Sequence, residues 1–290
     1  MNFHTVIIIY NPNSTGDSES NAKDFAEKLR QRDAKLKVSI IPTKFAGHAE
    51  EIASNYAESE ETLIISSSGD GGYNEVINGV MLSEGEASTA VLPSGNANDH
   101  HRAVAPDDML AGIVKARVRK IEVIKVTGMM NGKTWERYAH SYVGFGLTPK
   151  VGKVLTEARP NALTEKWHVI KQAFAFKHVK IQTDGEIHRY NSLIAATIDR
   201  MSKVIKLDDD ASMNDGKMEI YESRFISPLR TIKDLLFAST KGITPTIRTK
   251  SFMLSSPRPL LVQLDGEVFT LDAKQQVTLT CEKDRLATLA

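Results

Sequence analysis

The 290-residue chain has few of the features that mark secreted, disulfide-stabilised or membrane-spanning proteins. Its one cysteine, Cys281, cannot form an internal disulfide, and no group of Cys and His residues has zinc-finger spacing. We therefore expect a cytoplasmic protein without structural zinc. The apolar run from Val6 to Ile9 is too short for a signal-peptide core, and no other run approaches the roughly 18 residues that cross a bilayer. Neither secretion nor a membrane span is expected.

Neither sign of charge is in excess, since 37 Lys and Arg residues stand against 36 Asp and Glu residues. This balance gives no field that favours nucleic acid, so we expect no nucleic-acid partner. The composition, 41% hydrophobic and 25% charged, is typical of a globular protein long enough for two ordinary domains.

Residues 1–125 alternate strand, loop and helix, which predicts a parallel sheet covered by helices. The predicted strands are TVIIIY, LKVSIIP, TLIISS and TAVLP. Apolar residues between them recur at helical spacing, which predicts one buried stripe per helix. The stripes contain Ala22, Phe25, Ala26 and Leu29; Ala49, Ile52, Ala53 and Tyr56; and Val76, Ile77, Val80 and Met81. The pair Asn78-Gly79 is predicted to end the third helix.

Residues 126–290 have the pattern of hairpins, with Asn131-Gly132 and Asp184-Gly185 as predicted two-residue turns. The strands SLIAATI, KMEIYES, PLLVQL and QVTLT predict a mainly antiparallel β-sandwich, and helices are predicted at 149–176 and 228–240. The fold class is therefore α/β, with a parallel N-terminal domain at 1–125 and a sandwich domain at 126–290. The last few residues are candidates to pack back on the first domain.

Three loops that follow predicted parallel strands are rich in glycine and small polar residues: NPNSTG, SSGDGGYNE and LPSGNANDHHR. In such a sheet, ligands bind beyond the carboxyl ends of the strands, where backbone N–H groups and helix N-termini favour phosphate. These loops predict a nucleotide site, although a tight turn alone would also explain the glycines. They fit neither G-x-x-x-x-G-K-[ST] nor G-x-G-x-x-G.

The stretches SGDGGYNEVING and LPSGNANDHHRA resemble the paired signature of the diacylglycerol kinase catalytic-domain family, which also includes sphingosine and ceramide kinases. The common forms of that signature are GGDGTxNEVxNG and LPxGTxNDFAR. Further similar stretches follow the family order from residue 10 to residue 267: YNPNS, PTKFAGHAEEIA, VGFGL, NDGKMEI and QLDGE. Gly72 and Asn96 stand where the family usually has threonine, and Thr148-Pro149 replaces an acidic residue and alanine.

The resemblance implies an ATP-binding α/β domain, a β-sandwich domain and a cleft between them. It implies Glu267 as the proton acceptor and a structural Mg²⁺ held by the Asp215 carboxylate with the main-chain carbonyl oxygens of Ser212 and Lys217. The residues implied around ATP are Asn11, Pro12, Asn13, Ser14, Thr43, Gly69, Asp70, Gly71, Gly72, Asn74, Glu75, Gly95 and Asn96.

Phosphoryl transfer needs a positioned donor, offset negative charge and a base near the acceptor hydroxyl. Asp70 is predicted to bind a catalytic Mg²⁺ that bridges the phosphates, because this cation prefers carboxylate oxygens. Asp265 and Glu267 are alternative proton acceptors, and the resemblance favours Glu267. His100 and His101, adjacent and so on different helical faces, are predicted to be surface residues.

The leading hypothesis is an ATP- and Mg²⁺-dependent kinase that phosphorylates a membrane lipid such as diacylglycerol, touching the bilayer surface transiently. The resemblance also implies a possible homodimer. One alternative is an NAD kinase, whose family shares a GDG loop followed by Asn-Glu, although LPSGNAND and LDGE argue against it. The other is a nucleotide- or lipid-binding regulator without catalysis, which the replaced threonines keep open.

Overall fold

The computed structural model describes residues 2–13, 17–95, 98–104, 106, 108–150, 178–201, 205–207, 214–227 and 242–289. The chain divides into two compact units, one formed by residues 1–122 with 284–290 and the other by residues 123–283. The division thus falls three positions before the predicted boundary at residue 125 (125 − 122 = 3). The predicted helix at 228–240 lies outside the described residues, as does that at 149–176 apart from its first two positions.

The first unit is built on four parallel strands, β1 (Thr5–Tyr10), β2 (Lys37–Pro42), β3 (Thr62–Ser68) and β4 (Ser88–Pro93), in the order β2-β1-β3-β4. The end of the chain joins this sheet, because Thr288 pairs in parallel with Thr89. The Thr288 hydroxyl also donates to the Thr89 carbonyl at 3.1 Å. The four predicted strands are confirmed.

In the described part of this unit, five helices cover the sheet: α1 (Ser18–Arg32), α2 (His48–Asn55), α3 (Asp70–Leu82), α4 (Asp99–Val104) and α5 (Met109–Val114). Successive side chains of β1 point to opposite faces, which is why its apolar run is continuous. Ile8 belongs to the core that includes α1 and α5, whereas Ile7 and Ile9 belong to the core that includes α2 and α3.

Two helix predictions were wrong at their ends. Tyr56 is 42% exposed rather than buried, because α2 stops at Asn55. Asn78-Gly79 does not end α3, which continues to Leu82. A Cβ on Gly79 would lie 2.3 Å from the Glu50 carbonyl oxygen, so this glycine permits the close packing of α3 on α2.

The second unit consists mainly of antiparallel strands. Its strands are β5 (Val118–Met130), β6 (Lys133–Ala139), β7 (Tyr142–Gly146), β8 (Val179–Thr183), β9 (Glu186–Ala196), β10 (Arg200–Met201), β11 (Ile205–Lys206), β12 (Met218–Arg224), β13 (Ile247–Thr249), β14 (Ser251–Ser255), β15 (Leu260–Leu264), β16 (Glu267–Leu271) and β17 (Gln276–Leu289). β5 begins, and β17 ends, within the first unit. Its larger hydrophobic core includes Trp135, Phe145 and Tyr190, and a smaller one includes Tyr142 and Tyr221. The predicted α/β class, with parallel strands followed by antiparallel strands, is confirmed.

Three hairpins of this unit have two-residue turns in which both residues have positive φ: Asn131-Gly132, Asp184-Gly185 and Asp265-Gly266. Asn, Asp and Gly adopt this backbone conformation most readily, and its twist matches that of the flanking strands. The first two turns were predicted from sequence and are confirmed. Among the described residues, no helix is both long and apolar enough to span a membrane.

Candidate functional site

A cavity of about 240 Å³ lies in the first unit beside the carboxyl ends of β1, β2 and β3. Five of the residues predicted to surround a nucleotide line it, namely Asn11, Asn13, Thr43, Gly72 and Glu75. The remaining lining residues are Ile9, Tyr10, Lys44, Phe45, Ala46, Ala49, Ser66 and Ser68. Separate stretches of sequence thus meet at the edge of the sheet where a ligand was expected.

The loop after β1 is held in shape by its own polar groups. The Asn11 carboxamide oxygen accepts the Asn13 backbone N–H at 2.9 Å, an Asx turn. The Ser18 hydroxyl, at the start of α1, donates to the Asn11 carbonyl at 2.6 Å. Both asparagines are exposed, so their carboxamides are accessible from solvent at the cavity.

Glu75, which also lines the cavity, accepts hydrogen bonds from backbone N–H groups at the start of α2. Its Oε1 accepts the Gly47 N–H at 3.1 Å and its Oε2 accepts the Ala49 N–H at 3.2 Å. A carboxylate is stabilised at the positive end of a helix, and here it satisfies amides that the helix itself leaves unpaired. Glu75 therefore fixes the loop that carries Lys44 and Phe45.

Lys44 and Phe45 are functional candidates that the sequence analysis missed. Both are exposed on the loop between β2 and α2, and Phe45 is 60% exposed although it is a large apolar residue. Its ring lies 4.7 Å from that of His48. Lys44 gives the cavity a cation, and Phe45 gives it an aromatic face. The signal was their position directly after Thr43 in the PTKFAGHAEEIA stretch.

Gly69 and Gly95 bring two loops into contact. A Cβ on Gly95 would lie 2.3 Å from the Cα of Gly69, so a side chain there would collide with backbone. Gly69 and Gly95 thus have a packing role, which differs from the tight turn that the sequence left open as an alternative to a nucleotide site. Gly71 lies in the first turn of α3, and Pro12 is exposed in the turn after β1. Of the predicted nucleotide residues, Ser14 and Asn96 lie outside the described residues.

Asn74 is fully buried within α3 and is not among the residues lining the cavity. The Asn78 side-chain amide donates to the Asn74 backbone carbonyl at 2.9 Å and to its side-chain oxygen at 3.0 Å. This contact ties successive turns of the helix, so Asn74 has a structural role in this conformation.

The carboxylate of Asp70 is directed at the N-terminus of α4. Its Oδ2 accepts the Asp99 N–H and its Oδ1 accepts the His100 N–H, each at 3.1 Å. Asp70 therefore joins the α3 loop to α4, a role that the sequence analysis did not predict. Its predicted magnesium role stays a prediction.

The two adjacent histidines are less exposed than predicted. His100 is fully buried, with its ring 4.9 Å from that of Tyr73, so the surface prediction was wrong for it. Burial lowers the pKa of His101 below its ordinary value and outweighs the opposing effects of the Val91 carbonyl and Asp70. His101 therefore favours its neutral form.

In the second unit, Asp265 is fully buried and anchors the segment between β6 and β7. Its Oδ2 accepts the His140 N–H at 2.6 Å, and its Oδ1 accepts the N–H groups of Ser141 and Tyr142 at 3.1 and 2.9 Å. A carboxylate enclosed in this way is not accessible to a substrate hydroxyl. The geometry therefore argues against Asp265 as the proton acceptor and leaves Glu267.

Glu267 is partly exposed at the first position of β16, opposite Leu264 across the hairpin. Asp215, predicted to hold a structural Mg²⁺, is exposed in a turn where its Oδ1 accepts the Lys217 N–H at 2.8 Å. Ser212 lies outside the described residues. Within the described ranges, no group of three or more His, Cys, Asp or Glu residues could hold a metal ion.

Comparison with solved structures defines the class of the fold. A crystal structure of a diacylglycerol kinase from Bacillus anthracis superposes with a TM-score of 0.73 at 20% identity, covering 100% of this chain and 97% of that one. Yeast NADH kinase complexed with NADH is a more distant neighbour, with a TM-score of 0.53 at 11% identity, covering 100% of this chain and 84% of that one. Both likenesses concern the fold alone, an α/β fold with parallel N-terminal strands and antiparallel C-terminal strands.

Sequence comparison finds similar proteins of one family. Residues 5–126 match the model of the diacylglycerol kinase catalytic domain. A diacylglycerol kinase of Staphylococcus saprophyticus is 25% identical over 277 residues, covering 90% of this chain and 88% of its relative. A diacylglycerol kinase of Bacillus subtilis is 28% identical over 222 residues, covering 73% of this chain and 71% of its relative.

Proposed function

We propose that this protein is an ATP-dependent lipid kinase that transfers the γ-phosphate of ATP to the hydroxyl of a membrane lipid of the diacylglycerol type. The observation that carries the proposal is the cavity at the strand ends of the first unit, where residues from three separate family-like stretches meet. The acceptor class rests on the family and on its diacylglycerol kinase relatives.

The lining residues of the cavity suit a nucleotide. Lys44 supplies positive charge toward the phosphates, and the carboxamides of Asn11 and Asn13 with the Thr43 hydroxyl supply hydrogen-bond donors. Phe45 supplies a flat apolar surface for the base. These groups bind and orient the donor, which is the larger part of what a protein contributes to phosphoryl transfer.

Magnesium enters the proposal together with ATP. Mg²⁺ is commonly held by one or two carboxylates, the phosphates of the substrate and water, so a single carboxylate such as Asp70 fits a Mg²⁺–ATP complex. When bound, the ion would offset the charge of the phosphates. The structural site at Asp215 has one carboxylate among the described residues, with the main-chain carbonyl of Lys217 as a further proposed ligand.

Glu267 is our proposed proton acceptor for the lipid hydroxyl, because it is the partly exposed member of the Asp265/Glu267 pair. A carboxylate within hydrogen-bonding reach of a hydroxyl can take its proton as the oxygen attacks phosphorus. The lipid acceptor would be met at the membrane surface, and a homodimer remains a prediction.

The deciding experiment incubates the purified protein with γ-labelled ATP, Mg²⁺ and a total lipid extract, with parallel reactions containing NAD⁺ or NADH. We expect label in the organic phase, in a phosphorylated lipid that mass spectrometry identifies. Label in the nicotinamide nucleotide instead would establish the second kinase class. ATP binding without turnover on any acceptor would establish the non-catalytic regulator.

Replacing Phe45 with alanine should weaken ATP binding about tenfold, because loss of one base–aromatic stack typically costs ~1–3 kcal/mol. The affinity for inorganic tripolyphosphate, which has no base, should be unchanged. Calorimetric titration of both ligands provides the measurement. Phe45→Tyr, which keeps the ring, is the matched control and should bind ATP like the wild type. Equal losses for ATP and tripolyphosphate would show that Phe45 acts on the loop and not on the base.

A further inference from the structure

Residue 72 is a glycine within a helix because the Ser68 side chain occupies the space that a Cβ would need. It lies in α3, where glycine is less favourable than alanine and where no special backbone angle calls for it. A Cβ built on Gly72 would lie 2.6 Å from the Ser68 hydroxyl oxygen and 2.9 Å from the Ser68 Cβ. Real Cβ atoms do not approach other atoms so closely, so a side chain at residue 72 would require the Ser68 side chain to shift.

Ser68 presents its hydroxyl to the candidate nucleotide cavity. Ser66 and Ser68 both line the cavity, and their hydroxyl oxygens lie 2.6 Å apart. The Ser68 hydroxyl also donates to the Gly69 carbonyl at 3.0 Å. Ser67, between them, points to the other face of β3, where its hydroxyl donates to the Ser18 carbonyl at 2.8 Å. Alternation along the strand thus places two of the three serine hydroxyls at the cavity.

Residues 68 and 72 both differ from the common form of the family motif. In the common form GGDGTxNEVxNG, glycine aligns with residue 68 and threonine aligns with residue 72. Here serine stands at 68 and glycine at 72, so the hydroxyl has moved from the helix to the end of the strand. The contact between the two positions makes these changes one coupled exchange, since either side chain fills the space that the other would need.

We propose that Ser68 is a positioning residue for the nucleotide, supplying to a phosphate oxygen the hydroxyl that the family pattern has at residue 72. This inference rests on the proposed function, because it takes the cavity to be the nucleotide site. The hydroxyl hydrogen would turn about the Ser68 Cβ–Oγ bond from the Gly69 carbonyl to the phosphate oxygen. Gly72 is required because it leaves room for Ser68.

The test uses four proteins: the wild type, Ser68→Ala, Gly72→Thr and the double variant Ser68→Gly/Gly72→Thr. Titration with Mg²⁺–ATP measures affinity, and thermal unfolding without ligand measures stability. Ser68→Ala should bind about tenfold more weakly, as expected for one hydrogen bond to a charged group, and its Tm should fall by a few degrees because the Ser66 hydroxyl and the Gly69 carbonyl lose a partner. Gly72→Thr should lower Tm by about 5 °C, because the added side chain overpacks against Ser68.

The double variant separates this proposal from a merely structural role. Removal of the Ser68 side chain makes room for the threonine, so Tm should return to near the wild-type value and ATP affinity should recover from the Ser68→Ala level. Wild-type ATP affinity in Ser68→Ala, or a double variant no better than Gly72→Thr, would overturn the proposal. Failure of the wild type itself to bind ATP would instead overturn the proposed function, and the Tm cycle would still test the steric coupling.

Discussion

Replacing Glu267 with glutamine is expected to lower the turnover of phosphoryl transfer by about 10²–10⁴-fold, the range in which a positioned general base contributes. Glutamine keeps the size and hydrogen-bonding shape of the side chain, but it cannot accept the proton of the lipid hydroxyl. Because Glu267 is partly exposed at the start of β16, the free energy of unfolding should change little. Single-turnover kinetics with saturating ATP and lipid would measure the loss.

The chain offers a closely matched control for this variant. Glu186 follows Asp184-Gly185 in the β8–β9 hairpin just as Glu267 follows Asp265-Gly266 in the β15–β16 hairpin. Glu186→Gln changes the same charge at the same position of the same kind of turn, and it should leave turnover unchanged. Wild-type turnover in Glu267→Gln would remove Glu267 from the proposed mechanism, and an equal loss in both variants would indicate an effect of charge alone.

Replacing Asp265 with asparagine is expected to destabilise the second unit by about 3 kcal/mol, since each buried N–H left without an acceptor costs ~1–3 kcal/mol. The Asp265 carboxylate accepts the N–H groups of His140, Ser141 and Tyr142, whereas an asparagine amide has one acceptor oxygen and directs its N–H₂ group at the other donors. Urea denaturation followed by tryptophan fluorescence measures the loss, because Trp135 is buried in the core of this unit.

Asparagine isolates the loss of the carboxylate from any backbone effect, because it tolerates positive φ as well as aspartate does. Asp265 has a φ of 47°, so an Asp265→Ala variant would mix a backbone effect with the loss of hydrogen bonds. The control is Asp184→Asn, in an exposed turn with a φ of 51°, which should change stability by less than about 0.5 kcal/mol. Similar destabilisation in both variants would show that the turn, and not the buried carboxylate, is responsible.

Much of the candidate site could be predicted from sequence. Asn11, Thr43, Gly72 and Glu75 were identified from family-like loops after predicted strands, and all four line the cavity. The strands themselves were predictable because their apolar runs and intervening polar loops are local features. Lys44 and Phe45 were missed, because apolar periodicity does not mark exposed residues on a connecting loop and only the threonine of the PTKFAGHAEEIA stretch was taken as a site residue.

Other roles depended on partners that are distant in the sequence. Asp70 was predicted to bind a catalytic Mg²⁺, which stays a prediction. The sequence did not indicate that its carboxylate also accepts the N–H groups of Asp99 and His100, which lie 29 and 30 positions later in the chain. The coupling between Ser68 and Gly72 could be predicted only in part. The motif showed that residue 72 lacks the usual threonine, but it did not show that the Ser68 side chain occupies the space beside Gly72. The packing of a strand end against a helix depends on the tertiary structure, and residue spacing along the chain does not predict it.

The two Asp-Gly-Glu hairpins separate what the local sequence determines from what the tertiary structure determines. QTDGE and QLDGE are nearly identical locally, and each forms a two-residue turn with positive φ, because Asp and Gly tolerate that backbone conformation. Their sequence by itself determines the turn. Asp184 remains exposed, whereas Asp265 is fully buried against the amides of residues 140–142. That difference was decided by the tertiary structure, since burial and hydrogen bonding of a carboxylate depend on backbone donors brought from another part of the chain.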